Sequence, residues 1–95
     1  MKTLAFAIFD KKVASYGPPF FTRHEGEASR MVQAALMDRQ SSLAQFPTDF
    51  ALYKIGAYDD QGGILVGHNP EFLFEVASLL EKADQQELPL LNNKE

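Results

Sequence analysis

Residues 28–36 read ASRMVQAAL, and this segment has the clearest helical pattern in the chain. Its apolar residues recur at intervals of three and four, which is the spacing of one face of an α-helix. They are Ala28, Met31, Val32, Ala35 and Leu36. Glu25 and Glu27 precede this stripe, where negative charge favours the positive end of the helix dipole. A helix with one apolar stripe needs a surface to cover it, and the rest of the chain must supply that surface.

The segment before this helix predicts a β-hairpin. Leu4–Phe9 is short and apolar, and it ends at the turn-like residues 10–12, so we expect a return strand through Val13–Tyr16. Alternation places two sets of side chains on opposite faces of the first strand. One face carries Leu4, Phe6 and Ile8, and the other carries Ala5, Ala7 and Phe9.

The segment after the helix predicts a second hairpin and a second helix. Phe50–Tyr58 has strand character, and the Asp-Asp-Gln-Gly-Gly run at 59–63 predicts a turn into a strand at 64–67. Asn69, Pro70 and Glu71 then resemble a helix start, with an Asn cap and Pro at the first helical position. The apolar face of this helix would consist of Phe72, Val76, Leu79, Leu80 and Ala83.

These elements predict an α+β fold, an antiparallel sheet from two β-hairpins with two helices in the order ββαββα. The stripe of the first helix should face Phe6, Ile8, Leu52 and Ile55 or their strand neighbours. A chain of 95 residues has room for one hydrophobic core. We therefore expect a single domain over residues 1–84 and a polar C-terminal tail over residues 85–95.

Composition argues against most small catalytic designs. The chain has no cysteine and two histidines, which removes disulfide scaffolds, thiolate zinc sites and cysteine nucleophiles. Asp59 and Asp60 are adjacent on a predicted turn, where their carboxylates point apart. We expect a protein that is not an enzyme, with no cofactor and no metal site. The first apolar run stops after six residues, so neither a signal peptide nor a membrane helix is expected.

Basic and aromatic residues alternate near the N-terminus, a pattern typical of proteins that bind single-stranded nucleic acid. Residues 1–54 hold seven basic and five acidic side chains, a balance of +2, whereas residues 55–95 hold two basic and eight acidic ones, a balance of −6. The candidates for phosphate contact are Lys11, Lys12, Arg23, Arg30 and Lys54. The candidates for base stacking are Tyr16, Phe20 and Phe21. The plainer interpretation is that the two phenylalanines belong to the core and the lysines to turns.

The predicted second helix also suggests self-association. Leu73 and Ala77 widen its apolar face and Phe74 lies on the far side, so a small domain leaves part of this surface uncovered. We predict a homodimer with Leu73, Phe74 and Ala77 in the interface. Two alternatives remain: the segment is a strand, or residues 88–91 fold back over it.

An ordered series of short segments resembles the small nonstructural protein of gokushovirus-type microviruses, which are phages with circular single-stranded DNA. The segments are Met1-Lys2, Phe9-Asp10-Lys11, Tyr16, Pro19-Phe20-Phe21, Glu27-Ala28-Ser29-Arg30, the run from Phe50 to Gly56, and Tyr58-Asp59-Asp60. They span about residues 1–68. The resemblance implies a role in viral DNA synthesis or packaging in the host bacterial cytoplasm. It supplies no catalytic residues.

The expected function is that of a nonenzymatic viral accessory protein in single-stranded DNA synthesis or packaging, with single-stranded DNA as the ligand. The alternative is an adaptor that docks a viral or host replication or procapsid factor and never contacts DNA. The acidic C-terminal part fits such an adaptor as well.

Overall fold

A computed structural model describes residues 1–80 of the chain. Three strands come first, at Lys2–Asp10 (β1), Ser15–Tyr16 (β2) and Phe20–Thr22 (β3). Two helices follow, at Glu25–Met37 (α1) and Ser42–Gln45 (α2), and a 3-10 turn covers Pro47–Asp49. Two long strands, Phe50–Asp59 (β4) and Ile64–Glu75 (β5), complete the sheet. The α+β class predicted from the sequence is confirmed.

All strand pairs of the sheet are antiparallel, and the strand order is β2-β1-β4-β5, with β3 also paired to β1. β2 and β3 lie one after the other along the same edge of β1. The Gly17-Pro18-Pro19 segment between them belongs to neither strand and interrupts the pairing. Proline has no backbone donor for a ladder, which accounts for the break. β1 and β4 are therefore the central strands, and β5 forms the opposite edge.

The core lies between α1 and one face of the sheet. Phe6 and Leu52 are fully buried there, packed with Ala28 and Val32 of the helical stripe, as the sequence predicted. Met31 departs from that prediction, because its side chain is 49% exposed at the margin of the helix. Ile55 also lies outside the buried core, since the pairing register of β4 shifts at this residue.

The start of α1 is fixed by local hydrogen bonds. His24 occupies the N-cap position with extended backbone, and a Glu27 carboxylate oxygen accepts the His24 and Arg23 amides at 3.2 and 2.9 Å. The Thr22 hydroxyl donates to the His24 carbonyl at 2.6 Å. The Glu27 carboxylate thus satisfies two backbone donors at the start of the helix that the helix itself leaves unpaired.

The predicted start of the second helix at Asn69–Glu71 is wrong, because β5 continues as a strand to Glu75. Phe72 pairs with Tyr53, and Phe74 pairs with Leu52. Sheet pairing to a buried strand outweighs the local helix-start signal, and Pro70 is tolerated because β5 is an edge strand.

A helical segment begins only after Val76 and covers residues 77–80. Val76 and Leu79, two residues of the predicted helix face, do reach the core. The predicted tail at 85–95, its boundary at residue 84 and the Leu88–Leu91 alternative lie outside the described residues. Within residues 1–80, no helix is long and apolar enough to cross a membrane.

Candidate nucleic-acid interface

A row of aromatic side chains crosses the face of the sheet that α1 does not cover, which we call the open face. The row contains one ring from each of four strands: Tyr16, Phe9, Tyr53 and Phe72. The ring centroids of Tyr16 and Phe9 lie 4.8 Å apart, those of Phe9 and Tyr53 6.0 Å, and those of Tyr53 and Phe72 5.7 Å. The row thus runs across the strands without a gap.

The row follows from alternation along the strands. Leu4, Phe6 and Ile8 pack towards α1, so the residues between them face the other way. Ala5 and Ala7 are at most 2% exposed although neither α1 nor α2 covers them, so they form a close-packed floor. By contrast, Tyr16 is 43% exposed and Phe72 is 52% exposed. The open face thus offers large ring surfaces to solvent over a floor of small side chains.

A second aromatic pair lies further along the same face, next to two arginines. Phe21 contacts Tyr58 edge to face, with ring centroids 6.1 Å apart. Phe21, Arg23 and Arg30 line a common groove at the β3 edge of the sheet. Neither guanidinium forms an ion pair with any carboxylate among residues 1–80. Three of the sequence-predicted site residues therefore meet here.

The other predicted cations are separated from this groove. Lys54 points to the helix side of the sheet, where its ammonium lies 3.1 Å from Glu25 and 3.7 Å from Glu71. The hydrogen bond to Glu25, together with the charge of Glu71, raises the pKa of Lys54. Lys11 is ion-paired with Glu75. Lys12 lines a different groove, beside α2 and the 3-10 turn.

The predicted stacking residues divide between the two faces. Tyr16 and Phe21 lie on the open face, whereas Phe20 packs on Phe6 with ring centroids 5.8 Å apart and belongs to the core. The plainer interpretation therefore holds for Phe20. Sequence reasoning also missed four open-face aromatics: Phe9, Tyr53, Tyr58 and Phe72. Period-two alternation places Phe9 on the other face of β1 from the buried Phe6, so the sequence pattern could have identified Phe9 as an open-face residue. Phe72 was missed because the sequence predicted a helix there.

The three predicted interface residues do not share a helix face. Leu73 and Phe74 belong to β5, and both pack against the core. Ala77 is half-buried in the short helical segment after Val76. The surface from which the dimer was predicted therefore does not exist in that form.

Fold and site together define a small α+β protein whose antiparallel sheet is covered by helices on one face and presents aromatic rings on the other. The chain belongs to the family described as Phage ORF5 protein, whose model matches residues 3–79. No curated protein and no solved structure matched the chain. Residues 1–80 contain no cluster of three or more His, Asp or Glu side chains able to hold a metal ion.

Proposed function

We propose that this phage protein binds single-stranded DNA on the open face of its sheet. Its role would be that of a nonenzymatic accessory protein in DNA synthesis or packaging, as the resemblance to gokushovirus-type microviruses implies. Membership of a phage family is consistent with this role and leaves the ligand to be tested. The observation that carries the proposal is the aromatic row across four strands.

Aromatic rings bind unpaired bases because every base has a π-face that stacks without regard to sequence. Each such contact contributes about 1–3 kcal/mol by alanine substitution. The row crosses three gaps between adjacent strands, about 14 Å at the usual strand spacing. Sheets that bind single strands in this way stack two or three bases on a comparable platform. We therefore infer that the strand runs across the sheet.

The two groove arginines provide the contacts that a phosphate backbone needs. Arg23 and Arg30 line the same groove as Phe21, together with Glu27, so a base stacked on that ring would bring its phosphates near two guanidinium groups and one carboxylate. Lys11 and Lys54 already lie against carboxylates, and we expect them to contribute little. This division predicts that affinity depends more on stacking than on charge, which suits a chain of net charge −4.

The stacking half of the proposal is tested by fluorescence anisotropy with a labelled oligothymidine. Phe72→Ala should raise the Kd by about 5- to 150-fold, the equivalent of 1–3 kcal/mol. Met37→Ala is the matched control, because Met37 is 83% exposed and lies at the end of α1, away from the open face. Equal affinity of the two variants would contradict stacking on the row.

The phosphate half is tested by the salt dependence of the same binding. Arg23→Gln and Arg30→Gln should each reduce the log–log slope by about 0.7. Arg39→Gln is the control, because Arg39 is exposed between the two helices and does not line the groove. A wild-type protein that fails to bind DNA even at low salt would reject the proposal. The adaptor function would then stand in its place.

A further inference from the structure

The first half of β5 is an edge strand with apolar side chains in solvent. Because β5 is the last strand of the sheet, its outward backbone groups have no ladder partner among residues 1–80. Ile64, Leu65 and Val66 are 56%, 63% and 57% exposed. Exposed edges of this kind recruit another strand, since both backbone hydrogen bonds and apolar surface are left unsatisfied.

Two common protections against edge pairing, charged side chains and proline, are absent from this end of the strand. Residues 64–67 carry no charged side chain, and the first proline along β5 is Pro70. The opposite edge of the sheet differs, because β2 and β3 are only two and three residues long and the prolines at 18 and 19 separate them. One edge is thus blocked, and the other is open over residues 64–67.

We infer that a second copy of this chain pairs antiparallel with this edge of β5, with Val66 opposite Val66, and forms a two-fold dimer. An uncharged strand meets no like-charge repulsion when it pairs with itself. The groove beside Ile64 and Val66 is lined by one cation and one anion, Lys2 of β1 and Asp59 of β4, so this surface favours neither a strongly acidic nor a strongly basic partner. A nucleic acid finds no cluster of cations at this edge. An uncharged, apolar edge strand is therefore best matched by the same strand of a second copy.

The two-fold arrangement has a consequence for the open face. Antiparallel pairing of two equivalent edge strands, about an axis perpendicular to the sheet, keeps the two open faces on the same side. The aromatic rows of both copies would then belong to one continuous sheet. The dimer does not depend on the proposed function, but the use of both aromatic rows for DNA binding does. A longer platform gains affinity for a long strand through effective concentration.

The size of the contact predicts a weak dimer. Stable interfaces bury about 800 Å² on each partner, and a four-residue strand with three exposed apolar side chains supplies only part of this area. We expect dissociation in the micromolar range, so the mass should depend on concentration. The measurement is sedimentation equilibrium without DNA. A failure of the protein to dimerise is thereby distinguished from a failure to bind DNA.

The expected result is an average mass that rises from 10.6 kDa towards twice that value as the concentration increases. Val66→Lys should hold the protein at the monomer mass, because two like-charged ammonium groups would lie next to each other at the two-fold axis. Val13→Lys is the matched control: it makes the same change at a side chain that is 67% exposed, in the turn between β1 and β2, and should leave the dimer intact.

Two results would overturn the inference. One is a wild-type protein that stays monomeric up to about millimolar concentration, far above the dissociation constant expected for this contact. The other is a Val66→Lys variant that dimerises like Val13→Lys. Circular dichroism checks the fold of each variant. If Val66→Lys proves unfolded, Leu65→Lys, on the open-face side of the same strand, replaces it. This variant should also stay monomeric, and dimerisation like that of Val13→Lys would overturn the inference.

Discussion

Gly56→Ala tests the pairing of β4 with β5, the two strands that carry three of the six aromatic rings of the open face. Gly56 lies in β4 beside the register shift, opposite Gly67 of β5. An added Cβ would lie 2.2 Å from the Val66 carbonyl oxygen and 3.1 Å from the Gly67 Cα. Both are backbone atoms, so no side-chain rotation relieves the clash. The strands must separate locally.

The expected loss of stability follows from two contributions. Overpacking in a well-packed site costs about 1–3 kcal/mol, and each weakened ladder hydrogen bond adds about 0.5–1.5 kcal/mol. The reduced entropy of the unfolded chain returns about 0.4–1 kcal/mol. In the middle of these ranges, we expect Gly56→Ala to lower the free energy of unfolding by about 2 kcal/mol. With a urea m-value of about 1–2 kcal/mol/M for a small domain, the midpoint should fall by about 1–2 M.

Gly67→Ala is the matched control for this substitution. Its added Cβ would lie 3.8 Å from the nearest non-neighbouring atom, the Ile55 carbonyl oxygen, which is ordinary van der Waals contact. The urea midpoint should therefore stay close to that of the wild type. If Gly56→Ala unfolds at the same urea concentration as Gly67→Ala, the described register of β4 and β5 is incorrect at this point.

Three further changes test the core, a helix cap and an ion pair. Phe6→Ala should cost about 3–5 kcal/mol in urea unfolding, because Phe6 is fully buried beneath α1, and a loss below 1 kcal/mol would place it outside the core. Ser41→Ala should cost about 1 kcal/mol, because the Ser41 hydroxyl accepts the Ala44 amide at the start of α2; an unchanged midpoint would argue against this cap. The raised pKa of Lys54 means that its ion pair with Glu25 stabilises the fold at neutral pH and loses that effect as pH rises above 10.5. The midpoint difference between wild type and Lys54→Met should therefore shrink at alkaline pH, and a constant difference would contradict the ion pair.

The fold could be predicted where period and burial agree. The stripe containing Ala28 and Val32 fits only a helix, and Phe6 and Leu52 lie in strands whose apolar character has no competing interpretation. The prediction failed after Asn69, where a local helix-start signal preceded apolar residues that fit either period. Pairing with the central strand β4 decided the outcome, and such long-range pairing is not visible in a local pattern.

The candidate site was predicted in part for a related reason. Arg23, Arg30 and Phe21 are close in sequence or separated by two turns of helix, so their meeting follows from the β3–α1 connection. The aromatic row instead joins β1 to β4 and β5, and its members are up to 63 positions apart. Their proximity depends on strand order and register, which the sequence alone did not provide.

The proposal that single-stranded DNA stacks on the open face is tested most directly by the intrinsic tyrosine fluorescence of the wild-type protein during titration with an oligothymidine. The chain has no tryptophan and three tyrosines, and all three belong to the open-face clusters. Bases that stack on this face should quench the emission saturably, in step with the anisotropy of the labelled strand. Binding detected by anisotropy with unchanged tyrosine emission would place the DNA elsewhere and contradict the account.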